Sequence, residues 1–201
     1  MTANVIKEVS KPLFAQHGYE GTSLSKIADG VGIKKSSIYA HFENKEALFL
    51  EVLQDCVNQD LYSLNQFVRE TKQERTESRL YQLLNATCQQ YRDETEQLFW
   101  ARAVFFPPLE LKEKIHQQVT TYDHTFFAIV RELIQEGIDA REVKEGNVAE
   151  MTLAYCSILD GLMVEVRYST PAEIQHRIDA IWNIFWSGIQ CEQQSERENE
   201  A

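Results

Sequence analysis

Residues 31–48 read VGIKKSSIYAHFENKEAL, and the placing of small, basic and aromatic side chains around Gly32 decides how the rest of the chain is read. Glycine tolerates the left-handed backbone of a sharp reversal, so Gly32 marks a turn between two short helices. The first is LSKIADG at 24–30, capped by Thr22 or Ser23, and the second is KKSSIYAHF at 34–42. Ala28 is small where the two must cross, and Val31, Ile33 and Ile38 are the apolar pins that lock them. The side chains left over are Lys34, Lys35, Ser36, Ser37, Tyr39, Ala40 and His41. Their narrow N-terminal end would let a helix approach base edges and phosphates in a DNA major groove.

A formal net charge of -11 over 201 residues argues against a chain coated in nucleic acid, but the total hides its distribution. Residues 1–50 hold six lysines against five acids, a balance of +1, which leaves -12 on the remainder. The N-terminal quarter therefore escapes the repulsion a polyanion would exert on the rest. Hydrophobic residues at 43% and aromatics at 10% exclude a disordered chain, and eight glycines and four prolines are few enough for helix throughout. Cys56, Cys88, Cys156 and Cys191 are scattered, with no Cys-x-x-Cys pair, and read as buried thiols of a reducing compartment rather than as zinc ligands or a disulfide framework. The N-terminus MTANVIKEVSKP has no apolar signal core, and no apolar run approaches the roughly 20 residues that span a bilayer. The expectation is a cytoplasmic protein with no membrane partner.

Outward from the motif, helical periodicity is interrupted at HGYEGTS, ADGVGI, FENKE, FPP, DAREVKEGN and YSTP. These breaks predict an all-α fold of about nine helices. The first runs from Asn4 to His17 and buries Ile6, Val9, Leu13 and Phe14, with Pro12 expected to kink it or confine its regular part. The fourth starts at Lys45 behind an Asn44 cap and is long enough to join two domains. Later helices are expected at 77–91, 93–105, 108–136, 147–168 and 171–191. The division that follows is a three-helix helix-turn-helix DNA-binding domain at 1–46, a helical effector-binding and dimerisation domain at 47–191, and a charged, disordered tail at 192–201.

The segment LFAQHGYEGTSLSKIADGVGIKKSSIYAHFENKEALFLEVL, residues 13–53, resembles the N-terminal DNA-binding domain of the TetR family of transcriptional regulators. The likeness lies in Leu-Phe and Gly-Tyr ending the first helix, Thr-Ser before the second, Ile-Ala within it, the Gly-Ile turn, Ile-Tyr and Phe of the third, and Lys-Glu-x-Leu opening the fourth. It implies that Lys35, Ser36, Ser37, Tyr39 and His41 face the groove, with Tyr39 and His41 near phosphates. Thr22, Ser23 and Lys26 would touch the DNA backbone, as would Lys45, while Phe14, Ile27, Ile38 and Phe42 belong to the core. Lys34 and Ser36 stand where the family often has a small cap and a glycine or alanine, which alters the cap and the base preference. Many members carry a basic arm before the first helix; here Lys7 and Lys11 are the nearby cations.

The C-terminal half supplies a sensor and a dimer face. Segment 151–166, MTLAYCSILDGLMVEV, is apolar nearly all round and contains Gly161, which would let another helix come close. Leu162 and Val166, with Ile178, Ile181, Trp182, Phe185, Trp186 and Ile189 of the last helix, form the expected homodimer interface. Trp100, Phe105, Phe106, Tyr122, Phe126, Tyr155, Leu159 and Met163 are the candidate lining of an effector pocket, with Arg102, Asp123 and Asp160 to orient a small, mostly apolar ligand. The resemblance implies a homodimeric repressor on a pseudopalindromic double-stranded DNA operator, released by that effector, with no cofactor; an activator, or a regulator with no small effector, would carry the same N-terminal motif. A rival from enzyme chemistry rests on Glu113-x-x-His116 and Glu173-x-x-His176, the spacing of di-iron helix bundles. Projected at about 100° per residue, both pairs fall away from the apolar stripes of their helices, so chance spacing on solvated faces accounts for them better.

Overall fold

The computed structural model describes residues 3–90 and 94–191; the tail read at 192–201, the expected end of a helix at 91 and the expected start of the next at 93 lie outside them. Among the described residues the helices are α1 (Ala3–His17), α2 (Leu24–Val31), α3 (Lys35–Ile38), α4 (Lys45–Glu70), α5 (Thr76–Gln90), α6 (Glu94–Trp100), α7 (Lys112–Asp139), α8 (Val148–Glu165) and α9 (Pro171–Ile189). A π-helical segment, Ala101–Phe105, continues α6. None of these helices is long and apolar enough to cross a membrane.

The chain packs as two units, residues 3–66 with 94–125 and residues 67–90 with 126–191, so α4 and α7 each contribute to both. This partition differs from the sequence division at 46, because most of α4, all of α6 and the first half of α7 pack with α1–α3.

In the first unit Phe14, Tyr19 and Phe49 form an aromatic knot, with the Phe14 and Phe49 rings edge-on at 5.0 Å and the Phe49 and Tyr19 rings at 5.3 Å. Phe99 of α6 lies 5.6 Å from Phe49 and closes it. Ile6, Ile27, Ile38, Phe42, Leu48 and Leu53 are buried around this knot. Pro12 lies inside α1, which continues through it as one helix. Proline forfeits the one bond to the carbonyl four residues back, here that of exposed Glu8, and Ile6 and Phe14, buried on either side, hold the two turns together.

Two other boundaries depart from expectation. The third helix is four residues long rather than nine, because the amides of His41 and Phe42 both donate to the Ile38 carbonyl, at 2.9 and 3.0 Å, and close it there. The helix expected from 108 starts at Lys112. Pro107 and Pro108 lack N–H groups and push the residues before them out of the helical region, so the chain re-enters a helix through the Leu111 amide on the Pro108 carbonyl, 3.0 Å.

In the second unit α5, α8 and α9 pack on one another. Tyr155 is fully buried and donates its hydroxyl to the Leu80 carbonyl at 2.8 Å. Trp182 stacks on Trp186 at 5.6 Å and meets Tyr81 at 5.5 Å. Asn147 caps α8 by accepting from the Ala149 and Glu150 amides. Thr170 and Glu173 form a reciprocal capping box at the start of α9, and the Thr170 amide, then its hydroxyl, hold the Glu173 carboxyl below its usual range. Cys56, Cys88 and Cys156 are buried as expected, but Cys191, just past the end of α9, is half-exposed.

Candidate nucleic-acid interface

The turn between α2 and α3 forms as the sequence dictates. Ser23 adopts extended backbone and its hydroxyl accepts from the Lys26 amide at 3.2 Å, satisfying one of the unpaired donors at the start of α2. Gly32 sits at φ 76° and ends the helix. Its amide donates to Asp29 and the Ile33 amide to Ala28, so the last carbonyls of α2 are used by the turn itself. Lys34 then starts α3 without a side-chain cap, a consequence of a long cation standing where a small hydroxyl residue would close the first turn.

What lies beneath this turn is apolar and what lies above it is polar. Leu24, Ile27, Ala28, Ile38 and Phe42 are buried, Ile27 and Ile38 completely. Ser23, Lys26, Lys34, Lys35, Ser36, Ser37, Tyr39 and His41 are all exposed, Tyr39 at 52%. Ser25 joins them in the first turn of α2, although the sequence reading passed over it; its signal was its place between Leu24 and Ile27, both of which turn inward. The result is a row of hydroxyls, amines, a phenol and an imidazole, on a short element seated on buried isoleucines. Such a row can position itself on phosphates and hydrogen-bond base edges.

Two residues expected at the DNA backbone face inward instead. Thr22 is 1% exposed, and its hydroxyl reaches the Leu13 carbonyl at 3.0 Å and the Gly18 carbonyl at 2.8 Å. It fastens the α1–α2 turn, its single hydroxyl proton lying within reach of both carbonyls. Lys45 donates its ammonium to the Tyr19 carbonyl at 2.8 Å and stands 3.9 Å from the centre of the Tyr19 ring. Glu20 is 3.9 Å away. The lysine is thus a clasp between α4 and the end of α1. Burial raises the Tyr19 hydroxyl pKa above its usual value, and Glu110, Glu46 and Glu20 add to the shift.

The expected effector residues divide between the two units. In the first unit Trp100 is buried and its ring lies 6.5 Å from that of half-buried Tyr122. Phe105 and Phe106 project to the surface, as do Asp123 and Arg102, and Arg102 is held by the Gln16 carbonyl. The helical segment ends at Phe105, and the double proline follows Phe106. In the second unit Phe126, Tyr155 and Leu159 are core, Met163 is half-buried and Asp160 is exposed. Partial loss of hydration still raises the Asp160 carboxyl pKa above its usual value. On this unit's surface a groove of about 670 Å³ lies between α5 and α9, bounded by Arg75, Tyr81, Asp179 and Trp182; none of the expected effector residues lines it.

The expected dimer face is corrected more sharply. Leu162, Val166, Ile178, Trp182, Trp186 and Ile189 are buried within their own unit, Phe185 is half-buried, and Ile181 is exposed. The apolar stripe of α9 packs against α5 and α8 of the same chain, so the aromatics that seemed surplus are that unit's core. The outward apolar side chains are Ile181 and Ile184 on α9 and Leu153 and Val164 on α8. As for the metal-like pairs, Glu113, His116, Glu173 and His176 are all exposed, and Glu173 is occupied by its capping box.

Comparison with known proteins fits this geometry. A family model described as bacterial regulatory proteins, tetR family, matches residues 6–52, and one described as tetracyclin repressor-like, C-terminal domain, matches residues 74–190. The biofilm operon negative transcriptional regulator IcaR of Staphylococcus epidermidis is 44% identical over 46 residues, 23% of this chain and 25% of that protein. The transcriptional repressor ComR of Escherichia coli is 54% identical over 41 residues, 20% of each chain. The likeness to these curated relatives thus spans a quarter of their length or less. Among solved structures, the regulator FadR of Bacillus subtilis in complex with stearoyl-CoA superposes with a TM-score of 0.74 at 20% identity, over 94% of this chain and 100% of that one. The ketosteroid regulator KstR2 of Mycobacterium tuberculosis gives 0.67 at 22% identity, over 94% and 95%.

Proposed function

Since the chain belongs to the tetR family of bacterial regulatory proteins, we propose that it is a homodimeric transcriptional repressor that reads a pseudopalindromic DNA operator and is released by a small, mostly apolar effector. The observation that carries the reading is the exposed row Lys34–Ser37, Tyr39 and His41 above the buried pair Ile27 and Ile38. Two such rows, one from each protomer, fit successive major grooves about one helical turn apart. Ser23, Ser25 and Lys26 meet the phosphates beside each groove, and Ser36 and Ser37 lie closest to base edges.

The second copy docks on the outward face of α8 and α9, where Leu153, Val164, Ile181 and Ile184 are exposed. Gly161 and Gly188 leave open space for a helix to approach. An apolar effector accords with the stearoyl-CoA of the FadR structure and with the ketosteroid named for KstR2. Release is a population shift: the effector favours a conformation whose two rows no longer match the groove spacing, and DNA affinity falls by its differential affinity.

The test is a gel shift of the protein on DNA from upstream of its own gene. The expected result is a discrete, salt-sensitive complex that survives excess competitor and is lost on adding long-chain acyl or steroid ligands. Weak retardation of every fragment alike would overturn the regulator reading; a discrete complex indifferent to all apolar ligands would overturn the effector.

A further inference from the structure

The turn that joins α1 to α2 leads into the helices of the reading face, and the π-helical segment reaches it. Arg102 lies within that segment. Its Nη2 donates to the Gln16 carbonyl at 3.2 Å, in the last turn of α1, where a cation is favoured by the helix dipole. Its Nη1 stands 3.2 Å from where a Cβ on Gly18 would be. Gly18, at φ 71°, donates its amide to the Phe14 carbonyl at 2.8 Å and gives its own carbonyl to the Thr22 hydroxyl at 2.8 Å. Thr22 precedes Ser23, the cap of α2. The guanidinium therefore rests on a turn one hydrogen bond away from the first residue pair of the helix-turn-helix.

The aim of Arg102 depends on how the chain is wound before it. A π-helical turn takes in one more residue per hydrogen-bonded ring than an α-helical turn, so it re-aims the side chains within and beyond it, and such turns are uncommon and short. On one side the segment is anchored, since Phe99 is buried against Phe49. On the other side it ends in exposed Phe105 and Phe106 and, beyond the prolines, Leu109 at 93% exposure. Arg102 sits between a fixed end and an end with few neighbours to hold it.

We propose that Arg102 is a positioning residue for the DNA interface: the π-helical turn directs its guanidinium onto the end of α1, and that contact sets the angle at which α2 leaves the Gly18–Thr22 turn. Rewinding residues 101–105 to an α-helix swings Arg102 off Gln16 and loosens the turn, while Ala103, fully buried within the segment, has to be reseated. The inference rests on the DNA-binding reading for its consequence, but the contact itself can be tested without DNA.

The experiment compares the full chain with R102A and R102K by operator binding, thermal melting and amide hydrogen exchange. For R102A the expected result is about a fivefold loss of specific affinity, the low end of typical coupling between sites. Melting stays within about 2 °C of the parent, as for an exposed residue. Exchange at residues 18–23 accelerates, and exchange in α8 and α9 does not change. R102K, which keeps a charge and a donor, recovers most of the affinity. Unchanged affinity with unchanged exchange at 18–23 overturns the proposal, and so does a loss of affinity accompanied by a general fall in melting temperature that R102K leaves unrepaired. If the parent protein binds no DNA specifically, the regulator reading fails, and the exchange at 18–23 in R102A alone decides whether Arg102 positions the turn.

Discussion

The α2–α3 pair and the α8–α9 pair were both read from their side chains, and they teach opposite lessons. Around α2 and α3 the residues named for the surface are on the surface, apart from Thr22 at the margin. On α8 and α9 the residues named for a partner are mostly buried in their own unit, and the outward apolar face is built from Ile181, Ile184, Leu153 and Val164. A lysine or serine reveals its exposure by its chemistry, because burying it unpaired costs more than folding supplies. An isoleucine or tryptophan asks to be buried but does not say against what.

The comparison can be broken at α9, where two side chains two positions apart face opposite ways. Trp182→Ala removes a buried ring stacked on Trp186 and is expected to destabilise the fold by about 3–5 kcal/mol, seen as a lower denaturant midpoint. Ile184 is 76% exposed, so Ile184→Asp is expected to leave the monomer fold nearly intact while weakening self-association by about 2 kcal/mol in sedimentation equilibrium. Were Trp182→Ala to dissociate a stable dimer without destabilising the chain, the corrected face would be wrong.

At the DNA end the effects are smaller and more selective. Tyr39→Ala is expected to weaken binding to all operator variants by about 1–2 kcal/mol, whereas Ser37→Ala shifts base preference more than total affinity. Lys35→Ala should lower the slope of log affinity against log salt by about one, the sign of a lost phosphate contact. The matching experiment on Lys45 should behave differently. Lys45→Met is expected to lower melting temperature with little change in that slope, since the ammonium is already held by the Tyr19 carbonyl and ring.

The smallest effect sharpens the polar side of α9. Tyr81 donates to Asp179 at 2.6 Å; that bond holds the Asp179 carboxyl below its usual 3.8 and is the main reason the Tyr81 hydroxyl lies above its usual 10.0. A carboxyl lowered on folding stabilises the protein above its unfolded pKa and loses that contribution as pH falls through the folded one; a raised hydroxyl contributes below about pH 10. Tyr81→Phe is therefore expected to cost about 0.5–1.5 kcal/mol near neutral pH, a penalty that shrinks below about pH 4. An equal penalty at pH 3 and pH 7 in urea melts would show that the bond does not depend on an ionised carboxylate.

How much was legible follows the same division. Gly32, Ser23, Ile27, Ile38 and the polar row could be read from 41 consecutive residues because each is fixed by its neighbours in the chain: a left-handed turn, a cap, a period of 3.6. Lys45 was hidden because its partner, the Tyr19 carbonyl, lies 26 positions back in sequence, whereas Thr22 bonds carbonyls only four and nine positions back and was hidden because a hydroxyl before a helix reads equally as an outward cap. Arg102 looked like a ligand contact from its apolar neighbours and is bonded to Gln16, 86 positions away in sequence.

The sequence by itself determined that the chain is helical, where its turns fall and which short element presents amines and hydroxyls, since those depend on backbone freedom, capping and polarity within a few residues. Tertiary structure decided the rest: which apolar stripes meet each other inside one chain, which stay exposed, and which cations are spent on carbonyls. Those outcomes depend on which distant segments come to share a surface, and an apolar face is satisfied equally well by its own chain or by another.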